Sequence, residues 1–336
     1  MKATAKLGPG DNAVTLGKVG HGIMLMTWVP TPVPDGQAFE SLKASLDSVP
    51  PGAKMVLNSA EFYGMNPREA NLEMLARFFE KYPSYTEKAF LAGGSGPEDL
   101  NPDSSPANLK RSVDNILAKL RGTKKLDVFQ CARVDRKYPI EETIKVLSSF
   151  VNEGKFDYIG LSEARAPTVR RANAVHPIAL VEIEISPWCY DDPVKEVIAT
   201  CEELGVIILA YSPLGRGFLS GKYKSIKDLE EGDIRKHTER FQEENNMTIV
   251  EGIQTIAVRK GVTPAQLCIA WVSSLSPQIV PIPGSSTKER TQENCAAADT
   301  KLSADDVEAV KKVLEQNPVK GNRYGPGSDE DWHLWG

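Results

Sequence analysis

The stretch "SPANLKRSVDNILAKLRG" (residues 105–122) lies between two short apolar runs, "AFLAGG" (89–94) and "DVFQCARV" (127–134). Its apolar residues recur at helical spacing, with Ser105 suited to be an N-cap and Gly122 a C-cap. A strand, a helix and a second strand in this order are typical of a parallel βαβ unit. The sequence therefore predicts a parallel sheet covered by helices.

The same alternation extends along the whole chain. Six further apolar runs are "GIMLMTW" (22–28), "KMVLNSA" (54–60), "YIGLSE" (158–163), "ALVEIEIS" (179–186), "VIILAYS" (206–212) and "QIVPIPG" (278–284). Eight strand–helix units predict an α/β fold, a single (β/α)8 TIM barrel over residues 1–336 with an extra C-terminal helix. A long polar loop, 216–246, follows the seventh strand; it is expected either to fold over a ligand or to be a surface insertion.

The two ends of the chain lie outside this repeat. Residues 1–20 predict a short hairpin that plugs the bottom of the barrel. The tail "YGPGSDEDWHLWG" (324–336) combines acids with two tryptophans after a Pro-Gly break. A flexible terminus is the favoured interpretation, and an aromatic flap over the substrate is the alternative.

The amino-acid composition argues against nucleic acids and membranes as partners. The net charge is −5, which offers no general basic field for nucleic acid or an anionic membrane. There is no 18-residue apolar run and no secretory h-region, so we expect neither a membrane span nor secretion but a cytoplasmic protein. Scattered cysteines in apolar surroundings indicate reduced core thiols, and the histidines show no metal-ligand spacing. We expect a small-molecule substrate and a monomer or weak homo-oligomer.

In such a barrel, catalytic groups cluster at the carboxyl ends of the strands. Asn58 and Tyr63 follow the second strand, Gly94 ends the third, and Gln130 and Ala132 lie at the fourth. If Ala132 points into the barrel, strand alternation directs Arg133 towards the helices. Arg133 is then interpreted as a structural ion-pair partner.

The stretch "IPGSSTKERTQEN" (282–294) follows the eighth strand and opens a helix that carries Lys288 and Arg290. Free N–H groups at a helix start, flanked by cations, suit a phosphate, and an adjacent Arg favours an NADP-type 2′-phosphate. The alternative is an ordinary capped helix with solvated charges. "GKVGHG" (17–22) has the wrong glycine order for a dinucleotide fingerprint and follows no strand.

Five stretches together resemble the aldo-keto reductases, and within them the fungal pyridoxal reductase branch. They are "EFYGMNPREANLEMLARFFEKYP", "KKLDVFQCARVDRKYPIEETIKVL", "EGKFDYIGLSEA", "AYSPLGRGFLSGK" and "IVPIPGSSTKERTQENCAAA". The resemblance covers roughly residues 15 to 320 and implies NADPH bound across the barrel mouth.

By position, the resemblance also implies roles for individual residues at the cofactor. Tyr211 would stack on the nicotinamide, with Ser162 and Glu182 near its carboxamide. The pyrophosphate would be lined by Ser212, Leu214 and Gly215, the 2′-phosphate held by Ser285 and Arg290, and the adenine contacted by Glu293 and Asn294.

The catalytic half departs from the family pattern of an acid, a Tyr, a Lys and a His. Only Tyr63 matches: the acid position is Asn58, the Lys position aligns with Gly94 and the His position with Ala132. In the pyridoxal reductase branch the acid and His positions differ in the same way, but the loss of the Lys does not fit even that branch. In the family pattern the Lys and the His lower the pKa of the phenol, so that it can give a proton to the carbonyl oxygen. Without them the expected substrates are carbonyls that need less help because they carry their own activation, such as pyridoxal.

Three alternatives stay open from the sequence. Glu61 or Glu163 could serve as a stand-in acid, although ion pairing is favoured for Glu61. The chain could instead be a non-redox enzyme, in which Tyr63 and Glu61, Glu163 or Glu182 catalyse proton transfer, dehydration or cyclisation, possibly in fungal secondary metabolism. It could also be a silent NADPH-binding protein.

Overall fold

The computed structural model describes residues 1–8, 10, 13–96, 101–229, 231, 233–242, 244–325, 327 and 329–336. Parts of the predicted hairpin, of the loop 216–246 and of the tail lie outside the described residues. An antiparallel hairpin, β1 (Thr4–Leu7) and β2 (Val14–Gly17), precedes the sheet.

Eight strands form one parallel sheet in sequential order. They are β3 (His21–Gly22), β4 (Met55–Ala60), β5 (Ala89–Ser95), β6 (Val128–Cys131), β7 (Tyr158–Ser162), β8 (Ile178–Glu184), β9 (Ile207–Tyr211) and β10 (Ile279–Pro281). The first and last strands meet through Gly20 N–H to Pro281 O (2.8 Å), Gly22 N–H to Pro283 O (3.1 Å) and a bridge between Gly22 and Gly284. The sheet is thus closed, and the predicted TIM-barrel fold is confirmed.

Helices surround the strands. They are α1 (Asp35–Leu46), α2 (Ala70–Lys81), α3 (Pro106–Leu120), α4 (Ile140–Asn152), α5 (Ala166–Val175), α6 (Asp192–Leu204), α7 (Glu239–Gln242), α8 (Glu244–Lys260), α9 (Pro264–Ser274), α10 (Lys288–Ala296) and the extra C-terminal α11 (Ala304–Gln316). Ser105 caps α3 by accepting from Asn108 N–H, and Thr263 caps α9 in a capping box. At the end of α3, Arg121 takes the left-handed cap conformation, followed by Gly122.

The interior of the barrel is apolar in its lower half. Val56, Phe90, Val128, Leu180 and Leu209 form one buried cluster there. The hairpin contributes Ala5, Leu7 and Leu16 to the same cluster, so it lies across the bottom of the barrel, where the sequence predicted it. The polar interior side chains, which could take part in a reaction, lie at the opposite end of the barrel, at the carboxyl ends of the strands.

The prediction of a strand over 22–28 was wrong. Only His21–Gly22 pair as a strand, and Met24–Met26 form a turn of 3-10 helix. Ile23 and Met26 are fully buried, while Leu25 is 54% exposed. Burial at a spacing of three is helical; an extended strand would have placed Ile23 and Leu25 on the same face.

The polar loop after the seventh barrel strand is anchored to the barrel by aromatic rings. Phe218 and Phe241 stack at 4.9 Å, and both contact the ring of Trp188. Arg240 of α7 donates to the carbonyl of Gly321, which joins the loop to the C-terminal segment.

All five cysteines are buried and unbridged. Among the described helices, none combines the length and the apolar character needed to cross a membrane.

Candidate active site

A buried polar cluster lies in the barrel interior below its mouth. Asn58 of β4 donates its amide N–H to Glu182 Oε2 at 2.7 Å, and the Gln130 amide of β6 donates to the same oxygen. Asn58 and Gln130 are each 3% exposed and Glu182 is 6% exposed. Three strands thus direct polar side chains to one point, immediately above the apolar layer.

Burial raises the pKa of the Glu182 carboxyl above its ordinary value, because a charge is costly in this enclosed site. The two amide donors and the Arg133 guanidinium oppose that shift but do not reverse it. The carbonyl oxygen of the Gln130 side chain is buried without a partner among the described residues. The cluster therefore has an acceptor that a protonated Glu182 or a ligand could use.

Tyr63 lies beside this cluster on the turn after β4. The Thr27 hydroxyl donates to the Tyr63 carbonyl, and the phenol ring stacks on Trp28 with centroids 5.8 Å apart. The residue is partly exposed to solvent. Burial, and then the nearby Glu182 charge, raise the pKa of Tyr63 far above its usual value, while Arg133 acts in the opposite direction. At neutral pH the phenol is protonated and can donate a hydrogen bond.

The positions expected for Lys and His contain no functional side chain. Gly94 pairs in register with Ala60 and Gln130, so it faces the interior. A Cβ at Gly94 would lie 3.3 Å from Ala60 Cβ and 3.8 Å from Ser59 O, whereas a Cβ at Gly93 would point outwards into Leu126. Ala132 follows β6 and contributes its carbonyl oxygen to Arg133.

The prediction that Arg133 faces the helices was wrong. Its guanidinium lies at the mouth, where Nη1 is 3.4 Å from Ser162 Oγ and Nη2 is 3.1 Å from the Tyr324 hydroxyl. It forms no ion pair with any carboxylate among the described residues. Residue 133 comes after β6 has ended at Cys131, so the alternation of a strand no longer determines its direction.

Glu163 is an ionised structural partner and does not fit the role of a stand-in acid. It is fully buried and pairs with Arg323 at 2.9 and 3.1 Å, and it accepts from the Tyr211 hydroxyl at 2.7 Å. Its pKa is lowered, since burial is outweighed by the charges of Arg323 and Arg133. Arg323 also binds Glu184 at 3.0 Å.

Sequence reasoning missed Arg323. The available signal was a pair of glutamates, Glu163 and Glu184, at the ends of adjacent strands; two buried carboxylates in such positions need a cation.

The C-terminal tail lies on the mouth in the described residues. Gly336 N–H donates to Glu163 O at 2.9 Å, and Arg165 N–H donates to Gly336 O at 3.2 Å. Leu334 and Trp335 are 1% and 4% exposed. These described residues of the tail are packed against the mouth, while the flexible terminus and the aromatic flap over the substrate both stay predictions. The tail is held there because Arg323, at its start, forms ion pairs with Glu163 and Glu184 at the ends of β7 and β8.

Glu61 faces away from the mouth. Arg111, Ser112 and Asn115 of α3 contact its carboxylate at 2.6–2.7 Å. This arrangement is the ion-paired interpretation that the sequence favoured. Of the proposed acids, Glu61 is held by α3, Glu163 has a lowered pKa and Glu182 has a raised one.

The expected cofactor residues lie along one side of the mouth. Ser162 is buried and in register with Glu182, and the Tyr211 hydroxyl is fixed by Glu163, Arg323 and Tyr324. Ser212 has a left-handed φ of 50°, a strained conformation that is concentrated at functional sites. The turn continues through Leu214 to Gly215, whose N–H donates to Ser212 O at 2.9 Å.

The segment after β10 forms the predicted turn and helix, with Thr287 as the N-cap of α10. The Ser285 hydroxyl points inwards, to His21 and Thr291, while Arg290 is exposed. Asn294 is 2% exposed, and neither of its amide atoms has a partner among the described residues. Glu293, one residue before it, is partly exposed. A buried, unpartnered amide beside exposed Arg290 fits an adenine nucleotide, whose base both donates and accepts hydrogen bonds.

Comparison with known proteins bears on this arrangement. Residues 18–315 match the model of the aldo/keto reductase family. The chain is 38% identical to "Probable pyridoxal reductase 2" of Schizosaccharomyces pombe, over 94% of this chain and 97% of that protein. It is 36% identical to "Aldo-keto reductase yakc [NADP(+)]" of the same yeast, over 81% of this chain and 82% of that one.

Among solved structures, the glycerol dehydrogenase AKR11B4 from Gluconobacter oxydans superposes with a TM-score of 0.79 at 21% identity, covering 97% of this chain and 98% of that one. This likeness supports the fold alone. The sequence match extends over both the strand ends around Tyr63 and the segment up to Asn294. This chain belongs to the aldo/keto reductase family.

Proposed function

We propose that the protein is an NADPH-dependent oxidoreductase that reduces an activated aldehyde or ketone, pyridoxal-like in its reactivity, to an alcohol. The observation that carries this is the Tyr63 hydroxyl: it lies near Glu182, its raised pKa keeps it protonated, and no described residue forms a hydrogen bond with it. A protonated phenol that no described residue uses can donate its hydrogen bond to a substrate oxygen.

NADPH, when bound, would supply the hydride. Tyr211, Ser162, Ser212, Leu214 and Gly215 would hold its nicotinamide and pyrophosphate. Arg290, Glu293 and Asn294 would hold its adenosine 2′-phosphate end, whereas the Ser285 hydroxyl, expected at the same phosphate, is already bonded to His21 and Thr291. The unpartnered Asn294 amide supports this assignment.

Tyr63 would act as a hydrogen-bond donor to the carbonyl oxygen and not as a strongly acidic proton donor. Its raised pKa makes proton release unfavourable, since no Lys or His lies at the positions of Gly94 and Ala132 to lower it. One preorganised donor is worth about 10²–10³ in rate. A carbonyl with internal activation needs less help than a simple aldehyde, which supports the proposed substrate class.

The test is NADPH titration by fluorescence, followed by single-turnover mixing with pyridoxal and a panel of activated aldehydes. We expect NADPH oxidation that Tyr63→Phe slows by about 10²–10³. Tyr85→Phe is the matched control, because that hydroxyl binds Asp47 on the outer surface. NADPH binding without oxidation would contradict the reductase proposal, and no binding would contradict the cofactor.

A second candidate is non-redox acid catalysis, favoured by the raised pKa of Glu182. A neutral carboxylic acid beside Asn58 and Gln130 could donate a proton in a dehydration or cyclisation. This activity would form product without consuming NADPH and would be lost in Glu182→Gln.

A further inference from the structure

The side chain of Tyr324 is surrounded by guanidinium groups at the barrel mouth. Arg216 lies 4.5 Å from its ring centroid, Arg133 5.8 Å and Arg323 5.9 Å. The Tyr324 hydroxyl also contacts Arg133 Nη2 at 3.1 Å and the Tyr211 hydroxyl at 2.9 Å. Three cations therefore converge on one neutral phenol.

Of the three, only Arg323 pairs with carboxylates of described residues. Arg323 binds the carboxylates of Glu163 and Glu184. No carboxylate of a described residue lies within ion-pairing distance of Arg133 or Arg216, and the carboxylate that acts most on Arg133, Glu163, is already paired. Cation–π contacts with an aromatic ring replace only part of an ion pair.

The two other guanidiniums lie at the carboxyl ends of barrel strands. Arg133 follows Ala132, touches Ser162 at the end of β7 and borders a small cleft that is also lined by Ser95, Asp103 and Ser104. Arg216 belongs to the turn after β9. A guanidinium stays charged at any physiological pH and binds carboxylate or phosphate oxygens through paired N–H groups.

We propose that Arg133 and Arg216 form an oxyanion-binding site that Tyr324 covers, and that its ligand is a carboxylate or phosphate carried by the carbonyl substrate. The substrate assignment rests on the proposed reductase function. Tyr324 leaves the site when the anion binds, and its contact with the ring of Trp332, 5.8 Å away, is lost with it.

The first experiment needs no turnover. Benzoate and its neutral counterpart benzamide are titrated into the full-length protein by calorimetry, with and without NADPH. We expect benzoate to bind and benzamide not to, and both Arg133→Gln and Arg216→Gln to weaken benzoate by about tenfold or more. Arg170→Gln, which removes a surface partner of Glu203, is the control and leaves binding unchanged. Tyr324→Ala tightens benzoate binding.

The second experiment uses turnover. The ratio of kcat/KM for 4-carboxybenzaldehyde to that for benzaldehyde should fall about tenfold or more in each Arg variant. If neither aldehyde oxidises NADPH but benzoate binding still needs both arginines, the reductase function fails and the anion site stands.

Two results would overturn the proposal. One is equal binding of benzoate and benzamide, or a benzoate affinity that changes in neither Arg133→Gln nor Arg216→Gln. The other is a loss of NADPH affinity in the variants with benzoate binding intact, which would assign the arginines to the cofactor pyrophosphate. Circular dichroism checks folding. If Arg133→Gln does not fold, Arg216→Gln and the salt dependence of benzoate binding decide the matter.

Discussion

Position 94 faces the barrel interior, in register with Gln130, whose amide binds Glu182. The Cβ of a residue introduced there would lie 3.3 Å from Ala60 Cβ, a close contact that a small shift of the Ala60 methyl group relieves. We expect Gly94→Lys to raise Tyr63-dependent reduction about tenfold or more, since a nearby cation lowers the pKa of the phenol.

The control for this prediction is Gly94→Ala, which fills the same space without a charge and should leave the rate nearly unchanged. Single-turnover NADPH oxidation measures both variants. A rate that does not rise in Gly94→Lys, or rises equally in both, would show that the lysine position or the role of Tyr63 is misassigned.

Glu182 makes stability depend on pH in a direction that can be worked out. Its folded-state pKa lies above the ordinary value of 4.5. A raised pKa stabilises the folded state, and this contribution is complete below pH 4.5, where the carboxyl is protonated in both states. The contribution is lost as pH rises through the folded-state pKa. The wild type should therefore lose stability, relative to Glu182→Gln, as pH increases.

Urea unfolding of both proteins at pH 4.5 and pH 8 measures this difference. We expect Glu182→Gln to be relatively more stable at pH 8, because it removes the cost of a buried charge while keeping an acceptor for Asn58 and Gln130. A difference in the free energy of unfolding that stays constant with pH would contradict a raised pKa.

At the scale of elements, the tail is fixed to β7 and β8 by Arg323, whose side chain is 3% exposed. Replacing it with Met leaves the carboxylates of Glu163 and Glu184 buried and unpaired. We expect Arg323→Met to lower the free energy of unfolding by about 3–5 kcal/mol in urea at pH 7.

The matched control is Arg170→Met on the exposed pair with Glu203, which should change stability by about 1 kcal/mol or less. The effect of Arg323→Met should shrink at acid pH. The pKa of Glu163 is lower in the folded protein than in the unfolded chain. This difference stabilises the fold at any pH above the unfolded-state pKa, and the contribution is lost as pH falls through the folded-state pKa. Equal costs for the two arginines would contradict a buried ion pair.

At the scale of the whole molecule, the barrel closes where Gly22 faces the segment after β10. A Cβ at Gly22 would lie 2.8 Å from the Ile282 carbonyl oxygen, which no side-chain rearrangement can relieve. We expect Gly22→Ala to destabilise the protein by about 1–3 kcal/mol in urea unfolding, because the seam must open to accept the methyl group.

Gly36 in α1 provides the control, since a Cβ there meets nothing within 4 Å. Gly36→Ala should leave stability unchanged or raise it by up to about 1 kcal/mol, as alanine favours a helix. If Gly22→Ala is as well tolerated as Gly36→Ala, the two ends of the sheet are not joined as described.

The sequence by itself determined the barrel and most of its strands. Alternating strand and helix patterns are local, and eight units leave few ways to bury their apolar faces. "KMVLNSA" and "AFLAGG" were placed correctly because both faces of a barrel strand are buried and its sequence is continuously apolar. "GIMLMTW" failed because a short apolar run does not distinguish a strand from a helical turn.

Only the tertiary structure decided which charged groups meet at the mouth. Arg133 and Glu163 lie beyond the regular part of their strands, where no periodicity fixes the direction of a side chain. Arg323 is 160 residues from Glu163, and no local pattern joins them. The ionised state of Glu163, the raised pKa of Glu182 and the convergence of arginines on Tyr324 all depend on distances across the barrel, because electrostatic interactions follow separation in space and burial, not position along the chain.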